Sequence, residues 1–356
     1  NILENQIIAS TYGRGVWRST MGNTELAEND IKLLAIQSPS NDAISCGSII
    51  PQIIVKNNGQ NLITQIEISY NIDNEPSVSQ IWNGTIASFE QEVIDIGSLN
   101  IAFGTQVLSV SVDIENDAYA TNNNKNTFIR ANKPGETQTV YTFESENDDL
   151  LVAAESGELW ERGIPEGNQL NSTTSGNQAY ATNLDGNYSN NTKSFLYSPC
   201  FDLTSIEDPI LKFNMSFDIE FDWDLLYMQY STDLGQNWNI LGSADNFNWY
   251  NSSRFSGDGV NDDCYNCIGA QWTGTNLDFA EYAYDLTELA TNNNIIFRFV
   301  FHTDQYVTEE GVLIDDFVID GTTLSTNDEN LIKFVVYPNP SSNIFNIRLD
   351  NIGSYN

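Results

Sequence analysis

From Leu211 to Trp223 every odd position is apolar (Leu211, Phe213, Met215, Phe217, Ile219, Phe221, Trp223), and Lys212, Asn214, Ser216, Asp218, Glu220 and Asp222 intervene. Successive strand side chains point to opposite faces, so the pattern predicts a long strand with one face buried and the other wet. Alternation resumes out of phase at Leu226, Met228 and Tyr230, which calls for a turn or bulge near Phe221–Asp224. STDLGQNW at 231–238 then supplies a hairpin turn with an aromatic returning to the core. Similar period-2 stretches rich in Ile, Val, Phe and Tyr recur between Asn, Gly and Ser turns, and no long segment keeps apolar residues at helical spacing. The expectation is an all-β chain. A hydrophobic fraction of 40%, with 16 Tyr, 18 Phe and 7 Trp, is enough for packed cores in spite of the strong acidity.

A length of 356 residues predicts two or three domains. Polar shifts at 22–30 (GNTELAEND), 132–137 (NKPGET) and 322–330 (TTLSTNDEN) suit linkers. Residues 31–131 hold about seven strand signals, at 32–37, 50–57, 65–72, 78–85, 91–96, 104–112 and 126–129, the count and spacing of an immunoglobulin-like sandwich. Residues 138–322 form a second all-β unit. The reading is multidomain: an immunoglobulin-like sandwich followed by a jelly-roll sandwich.

Several stretches carry resemblances. SCGSIIPQIIVKNNGQNLIT at 45–64 and LSVSVDIENDAYATNNNKNTF at 108–128 resemble CARDB-like adhesion modules, which implies a hairpin turn at Asn58-Gly59 after the second strand. YTFESE at 141–146, SPCFDLTSIEDPILKFNMSF at 198–217, LLYMQYSTDLGQNWNIL at 225–241 and GVLIDDFVIDG at 311–321, in that order, resemble a MAM-like or concanavalin-like jelly roll, as in cleaved-adhesin domains of secreted Bacteroidetes proteins. In residues 1–21, YGRGVW at 12–17 resembles the end of a sialidase-type or sortilin-type β-propeller. Finally, VVYPNPSSNIFNIRL at 335–349 resembles the opening of the C-terminal sorting domain of type IX secretion cargo, with Tyr337, Pro338, Asn339 and Pro340 as its motif. That family domain continues for several more strands, so 331–356 is expected to be its truncated start, and Asn1 an internal or processed one. The resemblance implies transit through the periplasm to the outer-membrane surface or the exterior, with the type IX translocon and shuttle proteins as partners.

With 14 Lys+Arg against 49 Asp+Glu the formal charge is -35, which repels nucleic acid and anionic membranes and makes cations the natural partners. No run of about 18 apolar residues predicts a transmembrane segment. Calcium takes six to eight oxygen ligands, so it favours loops and strands that gather carboxylates. In the jelly-roll family resembled here a calcium ion ties the first strand to the last, which implies Glu144 and, from Asp315-Asp316-Phe317, Asp316 or Asp315 as ligands. Adjacent strand residues face opposite ways, so one aspartate should be a ligand and the other a surface acid unless the strand is irregular. Asp218, Glu220, Asp222 and Asp224, spaced by two, read as a wet strand face, with a cation relieving their repulsion as the alternative. GDGVNDDCYNC at 257–267 offers Asp258, Asp262 and Asp263 without EF-hand spacing.

Four cysteines allow three complete pairings; Cys264 and Cys267 are expected to form a local disulfide, with a bridge to Cys200 as the alternative. The single histidine, His302, is a poor foundation for a triad, and no phosphate-cradling Gly loop precedes a helix. We therefore expect no catalysis within these residues. Trp249 and Tyr250, in NFNWYNSSR, are the candidates for exposed rings that stack on a sugar. The functional expectation is adhesion, or glycan or protein binding, by a calcium-stabilised jelly roll. The alternatives are an accessory region of an extracellular hydrolase, or passive cargo of the translocon.

Overall fold

The computed structural model describes residues 6–11, 15–20, 26–40, 43–257, 264–323, 333–337 and 346–350. At one end β1 (Gln6–Thr11) pairs antiparallel with β2 (Gly15–Thr20).

The first sandwich comprises β3 (Ile31–Ser38), β4 (Ile44–Ser45), β5 (Gln52–Asn57), β6 (Ile63–Ile72), β7 (Val78–Ile86), β8 (Gln91–Asp95), β9 (Gly104–Asp113) and β10 (Asn124–Ala131). A three-stranded sheet, β3-β5-β8, faces a five-stranded one, β4-β10-β9-β6-β7. Alternation decides which side chains meet between them: Ile31, Leu33, Ile53, Val55, Ile66, Ile68, Leu108, Val110, Val112 and Ile129 are buried. The seven expected strands are all present. The turn at Asn58-Gly59 is not a hairpin, however, because β5 and β6 lie in different sheets and the chain crosses the sandwich there. Gly59 is required at that crossing, since a Cβ would lie 2.7 Å from the backbone at Glu28 and Asp30.

The second sandwich contains β11 (Leu151–Ser156), β12 (Glu161–Gly163), β13 (Ala179–Ala181), β14 (Lys193–Tyr197), β15 (Ile206–Asp218), β16 (Leu225–Ser231), β17 (Asn239–Ile240), β18 (Thr275–Asp285), β19 (Ile296–His302) and β20 (Gly311–Thr323). Two five-stranded sheets, β11-β14-β19-β16-β17 and β12-β13-β20-β15-β18, enclose an aromatic core. Phe213 shows how dense it is, meeting Phe299 at 4.8 Å, Tyr282 at 5.7 Å and Trp272 at 6.0 Å between ring centroids. Beyond it, β21 (Lys333–Tyr337) pairs antiparallel with β22 (Asn346–Asp350). Pro338, Asn339 and Pro340 lie outside the described residues, as do Asp258, Asp262 and Asp263.

A disulfide joins the two sandwiches, Cys46 to Cys200, and the second bridge is the local Cys264–Cys267. Around the first, Asn132 Nδ2 donates to Ser198 O at 2.8 Å and Ile44 N to Leu234 O at 2.7 Å. Ile44, though part of β4, is buried in the aromatic core of the second sandwich.

Candidate functional site

The expected strand holds its alternation only to Ile219. Leu211, Phe213, Met215 and Phe217 are buried, but Phe221 is 65% exposed, while Asp222 and Asp224 are 3% and 0% exposed. The wet-face reading of the acidic stripe is thereby corrected: the strand ends at Asp218, the backbone turns through a positive φ of 66° at Asp222, and the parity of inside and outside reverses.

That turn builds an acidic constellation. Asp224 is joined by Glu220 from the same turn and by Asp304 from the segment after β19, with one carboxylate oxygen from each within 4.8 Å of the others. Tyr188 donates its hydroxyl proton to Asp224 Oδ2 at 2.5 Å, and Asp304 N donates to Asp224 Oδ1 at 2.7 Å. Thr273 fastens the turn: its hydroxyl accepts from Asp222 N at 2.7 Å and donates toward Glu220 O and Asp224 O. Burial pushes the Asp224 carboxyl up to about 7, with the charges of Asp304 and Glu220 adding to it and the two donated hydrogen bonds offsetting part. Glu220 is raised as well, by burial and then by Asp304 and Glu309. Glu220 Oε2 is shielded from solvent without a hydrogen-bond partner. Three carboxylates crowded together, one with an orphan oxygen, are groups that can hold a metal ion. Asp304 escaped the sequence reading because only the fold brings residue 304 beside residue 224.

The family-implied residues Glu144, Asp315 and Asp316 are also drawn to one place, the loop 173–178. An extra residue in β20 opposite Lys212–Asn214, with φ +51° at Asp316, makes the strand irregular, and the inward side chains change phase from Val312 and Ile314 to Phe317 and Ile319. Both aspartates therefore turn to the same loop, the exception that alternation allowed for. Asp315 Oδ2 accepts from Thr174 N at 2.7 Å and Ser175 N at 3.0 Å, and Asp316 Oδ1 accepts from Ser175 Oγ at 2.6 Å. Glu144 Oε1 accepts from Asn177 N and Gln178 N at 2.8 and 2.7 Å. Burial raises Asp315 to about 6, assisted by the charge of Asp316 and opposed by its backbone donors. Here the acids act as anchors for a loop, with at least one oxygen of each occupied by N–H or O–H donors. Glu310 does the same for the neighbouring loop, accepting from Asn168 N, Gln169 N and Leu170 N.

Asp222, Cys264 and Cys267 form a third cluster, but both sulfurs are bonded to each other and Arg254 pairs with Asp222. Burial and Lys193 hold the His302 imidazole below its ordinary range.

Trp249 and Tyr250 are not exposed, which corrects the expectation for them. They are 3% and 5% exposed, with Trp249 Nε1 donating to Leu241 O and Tyr250 Oη bonded to the Met228 backbone. Rings of this size are worth most inside, and each finds an internal partner for its polar atom. What Trp249 does instead is back a surface groove of about 490 Å³: Tyr284, packed on Trp249 at 5.1 Å, lines it together with Tyr230, Asn246, Phe247, Asp285 and Glu288. Phe247 is 96% exposed. Gly242, at φ +77°, lets the loop approach, since a Cβ there would lie 2.5 Å from the Tyr284 ring.

No family model matches the chain. Bacillopeptidase F of Bacillus subtilis (strain 168) is 26% identical over 180 residues, 49% of this chain; the match spans only 10% of that protein's length. Among solved structures, the CARDB domain from Pyrococcus furiosus is 18% identical and covers 30% of this chain and 96% of its own, with a TM-score of 0.24. A cleaved adhesin domain of Lys-gingipain from Porphyromonas gingivalis w83 is 12% identical over 52% of this chain and 100% of its own, with a TM-score of 0.29. A carbohydrate-binding module of the β-sandwich superfamily is 8% identical over 82% and 98%, with a TM-score of 0.28. Likeness at this level leaves function to be read from the residues.

Proposed function

We propose that this chain is a non-catalytic binding region of a secreted, surface-associated protein. In this reading the second sandwich binds a glycan or protein ligand through loops held by calcium, and the first sandwich is a spacer fixed to it by Cys46–Cys200. The observation that carries the reading is the groove at Tyr230, Phe247 and Tyr284. Its volume falls in the range of ligand sites, about 300–1,000 Å³, and it presents an almost fully exposed ring beside carboxylates. Two disulfides support an oxidising, extracellular compartment. Among the described residues no helix is long and apolar enough to cross a membrane. Export through the type IX translocon and its shuttle proteins rests on the resemblance at 335–349.

Calcium would be held by Glu220, Asp224 and Asp304, tying the β15–β16 turn to the segment after β19. That donor set fits a hard cation: all oxygen, crowded, and short of one hydrogen-bond donor at Glu220 Oε2. Titrating calcium into chelator-treated protein by calorimetry tests it. Heat at one site, abolished in Glu220→Gln, supports the reading; heat unchanged in that variant sinks this location.

A second reading draws on the match to a tenth of Bacillopeptidase F, a protein named as a peptidase. The region would then be an accessory part of a larger extracellular hydrolase, and the same groove would position substrate. Fusing and removing the region next to its parent domain would separate the two by whether turnover changes.

A further inference from the structure

The chemistry of the groove selects among ligands. Among the described residues its lining includes Asp285 and Glu288 but no Lys, Arg or His. Asp285 is held ionised, its carboxyl kept below the usual range by hydrogen bonds from the Thr287 hydroxyl and backbone N–H at 2.6 and 2.8 Å. Glu288 is exposed in the short 3₁₀ turn Thr287–Leu289. Burial raises the Tyr284 hydroxyl, and the charges of Glu288 and Asp285 push it further in the same direction, so the ring lies in a negative field. Tyr230, Tyr284 and Phe247 present three aromatic rings to the same space. Aromatic faces are electron-rich and attract cations, most strongly where carboxylates add to the field.

We infer that this groove captures a lysine or arginine side chain projecting from a partner protein, with Tyr230, Tyr284 and Phe247 around the alkyl stem and cationic head and Asp285 and Glu288 as counter-charges. The inference rests on the binding reading above and narrows it from ligand in general to a basic segment of protein. The cation is already protonated at neutral pH, so no proton moves on binding. Every charge in the lining among the described residues is of one sign, which charge complementarity resolves and a neutral sugar does not.

The test is calorimetric titration of the full chain with tetra-arginine, tetralysine and a panel of neutral oligosaccharides, at about 150 mM salt to screen long-range attraction. The general acidity of the chain is controlled by charge-matched variants. Asp285→Asn with Glu288→Gln should weaken the basic peptides about fivefold or more, while Glu75→Gln with Glu92→Gln, the same charge change on the first sandwich, should leave affinity within about twofold. Phe247→Ala, at a ring too exposed to affect folding, should weaken them about two- to fivefold through the lost ring face. Glu288→Gln alone covers the case in which the Asp285 variant fails to fold, and should still lower affinity. Equal losses in both charge pairs would overturn the inference, because binding would then be nonspecific. Saccharide binding that Phe247→Ala abolishes, with no groove-dependent peptide binding, would overturn the cationic ligand and keep the binding reading. No binding of either probe class by folded protein would overturn both.

Discussion

The two sandwiches solve burial with different materials. The core of the first is aliphatic, built on Ile, Val and Leu with Tyr70 as its buried aromatic ring, and among the described residues it buries one carboxylate, Asp30, at its edge, which accepts from Asn122 Nδ2 at 3.0 Å. The second is filled with Phe, Tyr and Trp, and it buries Asp218, Asp222, Asp224, Asp304, Glu310 and Asp315. Burying a carboxylate costs several kcal/mol unless donors or cations compensate, so each such acid has been assigned a task. Some anchor loops through backbone N–H groups. Others crowd together at Glu220, Asp224 and Asp304, where compensation by protein donors is incomplete. Buried carboxylates are concentrated in the second unit.

Severing the link between the units should have the largest effect. Cys46→Ser with Cys200→Ser opens a bridge across a sequence separation of 154, and loop-closure entropy makes the expected loss about 4–5 kcal/mol. Scanning calorimetry should then show two separate transitions; a single unshifted one would break the picture of two units fastened by this bond. Next comes the contrast between cores. Trp272→Ala, at a fully buried ring, should cost about 3–5 kcal/mol, against about 0.5–1.5 kcal/mol for Ile53→Val in the aliphatic core, both read from denaturant midpoints.

The buried Asp224 predicts a pH dependence in the second unit. Asp224 is raised from 3.8 to about 7, so in chelator the native state keeps a proton that the unfolded chain releases between those values. Its contribution is therefore fully present below about pH 4 and is lost as pH rises towards about 7. Asp224→Asn should flatten that slope, read as denaturant midpoints across about pH 4–8. Calcium should oppose the loss by favouring the ionised carboxylate, raising the melting temperature more at pH 7 than at pH 5. The smallest effect, within about 0.5 kcal/mol, is expected for Glu92→Gln, an exposed residue of β8.

How much was legible follows from the range of each interaction. Strand positions in the first sandwich were readable because alternation is a local signal, and the seven expected strands are found with small shifts at their ends. The Cys264–Cys267 bridge was local enough to be expected. The Asp222–Asp224 segment misled because alternation continues in the letters for six residues after the strand has ended. Trp249 and Tyr250 misled for a related reason: flanking Asn and Ser mark a loop, but a loop residue can still point inward.

The sequence by itself determined the all-β class and the positions of most strands, because period-2 patterning and turn residues act between near neighbours. Only the tertiary structure decided which acids are buried, that Asp304 joins Glu220 and Asp224, that Cys46 reaches Cys200, and that Phe247 and Tyr284 share a groove. Those pairings join residues tens to more than a hundred positions apart, and their energies depend on burial and distance, which exist only after the sheets have packed.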